Sequence, residues 1–169
     1  MTHEEYEEAA QYWVKKDAEA QKAEPGQLRT YIEDFLVANK TCVLGTGSGN
    51  TVRCTPVDYA YHDGAIWVFT EGGRKFSCLE HNVNVSVAVF QAGGSMGNLH
   101  SLQIQGKAEV VTPWSAEYER AAGQRHIPLD ALKKLARPMN LLKIVPEEAD
   151  YLDSGLKKQG LSSRQHLDF

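Results

Sequence analysis

With 169 residues, 42% of them hydrophobic and 24% charged, and a net charge of −4, the chain has the length of one domain and enough apolar matter for a core, which excludes a disordered polymer and two large domains. It carries no basic stripe of the kind nucleic-acid binders use, and no apolar run near the roughly 18 residues of a membrane span. The acidic start Met1-Thr2-His3-Glu4-Glu5 is the opposite of a secretory leader, so a cytoplasmic protein with neither a nucleic-acid nor a membrane partner is expected.

Residues 3–22 read as a helix, because Tyr6, Ala9, Ala10, Trp13 and Val14 recur at three- and four-residue steps among charges. Pro25-Gly26 breaks it. A second helix follows, with Leu28, Tyr31, Ile32, Phe35 and Leu36 on one side, and ends near Asn39-Lys40. The period then changes. Residues 41–46 are rich in β-branched types, Gly47-Ser48-Gly49-Asn50 is a turn, and residues 51–60 return as the second arm of a hairpin. His62-Asp63-Gly64 turns again into a third strand at 65–70.

A short helical stretch at 74–81 precedes a nearly all-apolar, central fourth strand at 84–90. The glycine-rich connection 91–98 leads into a long fifth strand at about 100–112. There Leu102 and Ile104 point one way, while Ser101, Gln103 and Gln105 point the other, a polar row facing water, a partner or a ligand. Residues 115–136 read as helix in two pieces split near Pro128, with Tyr118, Arg120 and Arg125 on a solvated face. Residues 140–145 form a sixth strand, and 147–169 are polar and weakly patterned. Tight turns between strands rule out parallel crossovers. The expectation is a mainly β fold: a small six-stranded antiparallel barrel, Greek-key-like, with N-terminal and peripheral helices.

Several motifs fall away on inspection. Gly45-Thr46-Gly47-Ser48-Gly49-Asn50 lacks the last glycine of a dinucleotide fingerprint and the helix that must follow it. Gly93-Gly94-Ser95-Met96-Gly97 lacks the Lys-Ser/Thr ending of a phosphate loop. The histidines show no i, i+4 pair, so no metal site is expected. No Gly-x-Ser-x-Gly elbow anchors a hydrolase triad. Cys42, Cys54 and Cys78 are odd in number and lack Cys-x-x-Cys spacing, so they read as buried or half-buried free thiols.

One constellation stands out. Arg53-Cys54-Thr55-Pro56 lies on the second strand, Phe69-Thr70 ends the third, and Gly72-Gly73-Arg74-Lys75 follows at once. Were the second and third strands neighbours, two guanidiniums, an ammonium, hydroxyls and free backbone amides would cluster at a helix start, which is chemistry suited to a phosphate. Pro56 costs a ladder hydrogen bond, so it marks an edge, a bulge or backbone kept free for a ligand.

These residues carry a resemblance. Arg53-x-Thr55-Pro56-Val57, Gly64-x-Ile66-Trp67-Val68-Phe69-Thr70, Arg74-Lys75-x-x-x-Leu79-x-x-Asn82, Val85-Ser86-Val87 and Gln105-Gly106-Lys107-Ala108-Glu109 together resemble the pyridoxamine 5′-phosphate oxidase-like family of FMN-binding split β-barrels, over about residues 27–146. The resemblance implies a homodimer with FMN at the subunit interface. It implies that Arg53, Cys54, Thr55 and Pro56 run beside the isoalloxazine and ribityl chain, that Phe69 and Thr70 close the strand end, and that Arg74 and Lys75 hold the phosphate. Ser101 or Gln103 would reach the flavin from the partner subunit. It divides the chain into an N-terminal helical extension (1–26) whose Tyr12 and Trp13 cover a barrel end or the dimer seam, an FMN-binding split-barrel domain (27–146), and a C-terminal tail (147–169).

Departures from the family pattern narrow the activity. Asp58 stands where true pyridoxamine phosphate oxidases have a substrate-contacting Lys, Val83 replaces a Pro, and the C-terminal Arg-Leu-His-Asp-Arg stretch is missing. The expectation is therefore a flavin-dependent oxidoreductase acting on some other small molecule. The alternatives are a haem- or flavin-storage module, with His166 and His100 as candidate haem ligands, and a deazaflavin-dependent reductase.

Overall fold

Tyr59 decides the architecture. In the computed structural model, which describes residues 1–91 and 97–169, strand β1 (Thr41–Ser48) pairs antiparallel with β2 (Thr51–Asp58), and one residue later the chain begins β3 (Ala60–His62) at the far end of the same sheet. Tyr59 is buried at that switch. Its backbone N–H donates to the Lys40 carbonyl (2.8 Å) and its hydroxyl to the Leu36 carbonyl (2.9 Å). The single second strand expected over 51–60 is thus two short ones, and the sheet curls so that its ends meet there.

The remaining strands are β4 (Ala65–Thr70), β5 (Asn84–Phe90), β6 (His100–Val111), β7 (Asn140–Asp153) and β8 (Arg164–Asp168). The order is β2-β1-β5-β6-β7-β4-β3, with β8 on the outer part of β7. Every pairing is antiparallel. The mainly β barrel is confirmed, with eight strands among the described residues instead of six. The glycine-rich connection expected over 91–98 lies largely outside the described residues.

The C-terminal third differs most from expectation. β7 continues past residue 145 to Asp153, and part of the expected tail returns as β8. Gln165 locks β8 in place: buried, it accepts from the Ala23 N–H (3.0 Å) and donates to the Gln21 and Ser162 carbonyls (3.0 and 2.6 Å). A register shift between Gln105 and Gly106 bends β6 against β7. A side chain at Gly106 would collide with the Val145 carbonyl, so only glycine fits there.

Strand alternation builds the core. Leu44, Val87, Ile104 and Ile144 fill the barrel, capped by Leu28, Ile32, Phe35 and Leu36 of helix α2 (Pro25–Ala38). β4 is buried on both faces. Ile66 and Val68 point into the barrel, while Ala65 and Trp67 join a second cluster under helices α4 (Ala116–Gln124) and α5 (Leu129–Lys133). Tyr118 corrects the expectation of a solvated helix face. It is fully buried in that cluster and donates its hydroxyl to the Met139 carbonyl (2.9 Å). Each such large side chain contributes about 1.5–3 kcal/mol of burial.

Helix α1 (His3–Ala18) is closed by a capping box of Thr2 and Glu5 and buries none of its residues. It touches β8 through Arg164, whose guanidinium lies over the Trp13 ring (4.9 Å) and pairs with Asp17 (3.6 Å). No described helix is long and apolar enough to cross a membrane.

Candidate functional site

The loop between β4 and helix α3 (Lys75–Leu79) is shaped by two glycines. Gly72 and Gly73 have φ of 135° and 104°, a region that favours residues without a Cβ. Asn140, opposite Thr70 in the ladder, donates its amide to the Thr70 and Glu71 carbonyls (3.4 and 3.3 Å) and steadies the turn. The loop then delivers Arg74 and Lys75 with opposite exposures. Arg74 is exposed; Lys75 is 5% exposed. The Lys75 Nζ donates to the Gly72 carbonyl and lies 5.4 Å from the Phe76 ring centre. Among the described residues neither cation has a carboxylate within ion-pair distance. Burial lowers the Lys75 pKa from its ordinary 10.5.

α3 packs against β1 and β2. On the inward face of that pair Thr46 stands opposite Arg53. The Thr46 Oγ1 and the Arg53 Nε are both buried without a hydrogen-bond partner. Each unsatisfied group of this kind costs about 1–3 kcal/mol. Asn82 supports the end of β1 by donating to the Gly47 carbonyl (2.8 Å).

The other expected residues divide by strand face. Thr55 shares the inward face with Arg53. Cys54 and Pro56 point outward, and Cys54 is exposed rather than half-buried. Pro56 is explained by position, since β2 is the first strand of the sheet order. Phe69 belongs to the second apolar cluster, edge-on to Tyr118 at 5.3 Å. β4 pairs with β3 and β7, so the expected ladder between the second strand and 65–70 does not form, although β2 and β4 come close as the sheet curls.

Ser101 and Gln103 lie on the outer face of β6. A single chain therefore does not gather them with Arg53 and Lys75. Gln103 instead lines a hollow of about 310 Å³ with Ser86, Gln105, Glu148, Asp150 and His166. Beside it, a more apolar hollow of about 400 Å³ runs over Val43, Gly45, Val52, Cys54 and Ala88. The two histidines expected as haem ligands differ. His100 sits against Phe35 (4.1 Å between ring centres), with its Nε2 on the Tyr151 hydroxyl (2.6 Å), and burial lowers its pKa. His166 is half-buried and holds Asp150 through Nδ1 (3.1 Å).

The residues sequence reading missed are Thr46, whose hydroxyl is invisible in a β-branched run, and the ring around His166, which lay in the expected tail.

Residues 28–153 match the sequence pattern of the pyridoxamine 5′-phosphate oxidase family. The chain belongs to that family. Solved structures share its fold at low identity. A FAD-binding protein from Mesorhizobium loti is 24% identical, with a TM-score of 0.58 over 72% of this chain and 89% of that one. HutZ, a haem storage protein from Vibrio cholerae, is 20% identical, with a TM-score of 0.59 over 71% and 90%. ChuZ from Campylobacter jejuni is 12% identical, with a TM-score of 0.66 over 87% and 61%. No curated protein matches the chain in sequence. The proteins that share this fold thus include one that binds FAD and one that stores haem, and the fold alone leaves the activity to the residues of the site.

Proposed function

We propose that this family member binds FMN as a cytoplasmic homodimer and acts as a flavin-dependent oxidoreductase on a small molecule other than pyridoxamine 5′-phosphate. One observation carries the reading: Lys75 is a buried ammonium with no carboxylate beside it among the described residues. A buried cation that meets a carbonyl but no counter-charge is costly, and an anionic ligand removes that cost. The FMN phosphate supplies the charge, with Arg74 as the exposed, bidentate partner and Lys75 as the inner point charge.

The donor set beyond Lys75 fits the same ligand. Arg53 and Thr46 leave buried polar atoms unused. Thr55 continues that face, and the exposed Cys54 and Pro56 present backbone and side chain to the outer surface. Phe69 and Thr70 wall the strand end. Ser101 and Gln103, separated from the rest within one chain, reach the flavin edge from the partner subunit. When bound, FMN supplies hydride and electron transfer, while the protein supplies orientation and electrostatics. Asp58, exposed at the end of β2 and accepting from the Thr41 hydroxyl (3.1 Å), stands where the family resemblance puts a substrate-contacting Lys, and its negative charge would repel a phosphorylated substrate.

The purified protein is expected to be yellow, to release FMN on heating, and to quench added FMN fluorescence at micromolar concentration. A colourless protein that leaves FMN fluorescence unchanged sinks the reading. A second reading, haem binding, rests on His166, whose ring is half-buried and oriented by Asp150. It requires a Soret shift on adding haemin that disappears in His166→Ala.

A further inference from the structure

Outside the proposed flavin cradle, the outer face of β7 and β8 concentrates carboxylates around one imidazole. The antiparallel register sets Glu148 directly opposite Asp168 and Asp150 directly opposite His166. Like charges directly opposite on neighbouring strands destabilise the pair. Arg164 relieves part of this, donating to Asp150 (2.9 Å), but it is shared with Asp17 (3.6 Å). Among the described residues Glu148 has no cationic partner, and Asp168 has only His166, whose Nε2 lies 3.4 Å from it.

We propose that Glu148, His166 and Asp168 form a binding site for a divalent first-row transition ion of the Zn²⁺ class. The three side chains each offer one ligand atom, and these atoms lie within 4.8 Å of one another. Bond lengths of about 2.0–2.2 Å require them to draw closer. Asp168 is exposed and Glu148 half-exposed, so rotation of those two carboxylates suffices. One imidazole nitrogen and two carboxylate oxygens form a borderline donor set that suits Zn²⁺ better than the all-oxygen sets of Mg²⁺ and Ca²⁺.

Asp150 completes the arrangement as a positioning residue. Its Oδ1 accepts from His166 Nδ1 (3.1 Å), which leaves Nε2 as the metal-facing nitrogen, the carboxylate–histidine–metal geometry that orients many zinc ligands. Its other oxygen is held by Arg164. The hollow beside His166, floored by Gln103 and Gln105, leaves room for water on the open coordination positions.

The test is calorimetric titration of Zn²⁺ into the full-length chain after chelator treatment, without flavin. One equivalent is expected to bind. His166→Ala and the double variant Glu148→Gln/Asp168→Asn should each lose binding, and Asp150→Asn should weaken it about tenfold. His81→Ala, which removes an exposed imidazole elsewhere, should leave it unchanged. Co²⁺ in place of Zn²⁺ should give a visible absorption band in the wild type that is absent in the double variant, so the site is testable even if His166→Ala disturbs β8. No zinc uptake by the wild type, or equal uptake by the wild type and the double variant, overturns the proposal.

Discussion

Two regions of this molecule carry uncompensated charge of opposite sign. At the β4–α3 loop, Lys75 is buried and Arg74 exposed with no carboxylate in reach among the described residues. At the β7–β8 edge, Asp17, Glu148, Asp150 and Asp168 face a single guanidinium and one imidazole. A chain that could neutralise both by its own ion pairs keeps them apart. The first region would therefore suit an anion and the second a cation, each by the charge its own side chains leave unbalanced.

The sharpest way to break that contrast is to invert the first region. Arg74→Glu combined with Lys75→Glu should weaken FMN binding at least about 100-fold, as expected from losing charge-assisted contacts of about 1.5–3 kcal/mol each. Fluorescence quenching reads the affinity and circular dichroism the fold; unchanged affinity would place the phosphate elsewhere.

A subtler probe uses Lys75 without its ligand. Its folded pKa lies below its ordinary value of 10.5, so the penalty on the charged form is fully present below the folded pKa and gone above the ordinary one. Relative to the wild type, Lys75→Met should thus gain more in urea midpoint at about pH 7 than at about pH 10. Added inorganic phosphate should reverse the order at the lower pH. A difference that ignores both pH and phosphate refutes the buried-cation argument.

The smallest effect belongs to the opposite region. Asp17→Asn removes one partly exposed partner of Arg164 and should cost less than about 1 kcal/mol by thermal unfolding. A larger loss would mean that α1 is anchored more firmly than its lack of buried residues suggests.

Much of the barrel was legible in the sequence because its signals are local. The turn at residues 47–50, the Asp63-Gly64 turn and the alternation of Leu102 and Ile104 with Ser101 and Gln103 each announce a strand without reference to anything distant. The strand switch at Tyr59 was not legible, since it depends on which distant strand accepts β3. Nor was β8, although Gln165 and Leu167 alternate inward; a buried glutamine looks polar until Ala23, Gln21 and Ser162 are seen to satisfy it. Tyr118 was misread for the same reason, its hydroxyl being answered by a main-chain carbonyl 21 residues away. At the site, the Arg74-Lys75 pair was readable as chemistry, but the different exposures of its two members were not, because these follow from the loop set by Gly72 and Gly73.

The insertion of β7 between β6 and β4 has a consequence for synthesis. Thr70 finds its ladder partner only at Asn140, and β7 runs to Asp153. At about 5–20 residues per second, a ribosome needs roughly 4–17 s to cover that interval. Throughout it, β4 offers a bare strand edge to its surroundings, a delay in which a chaperone has time to act.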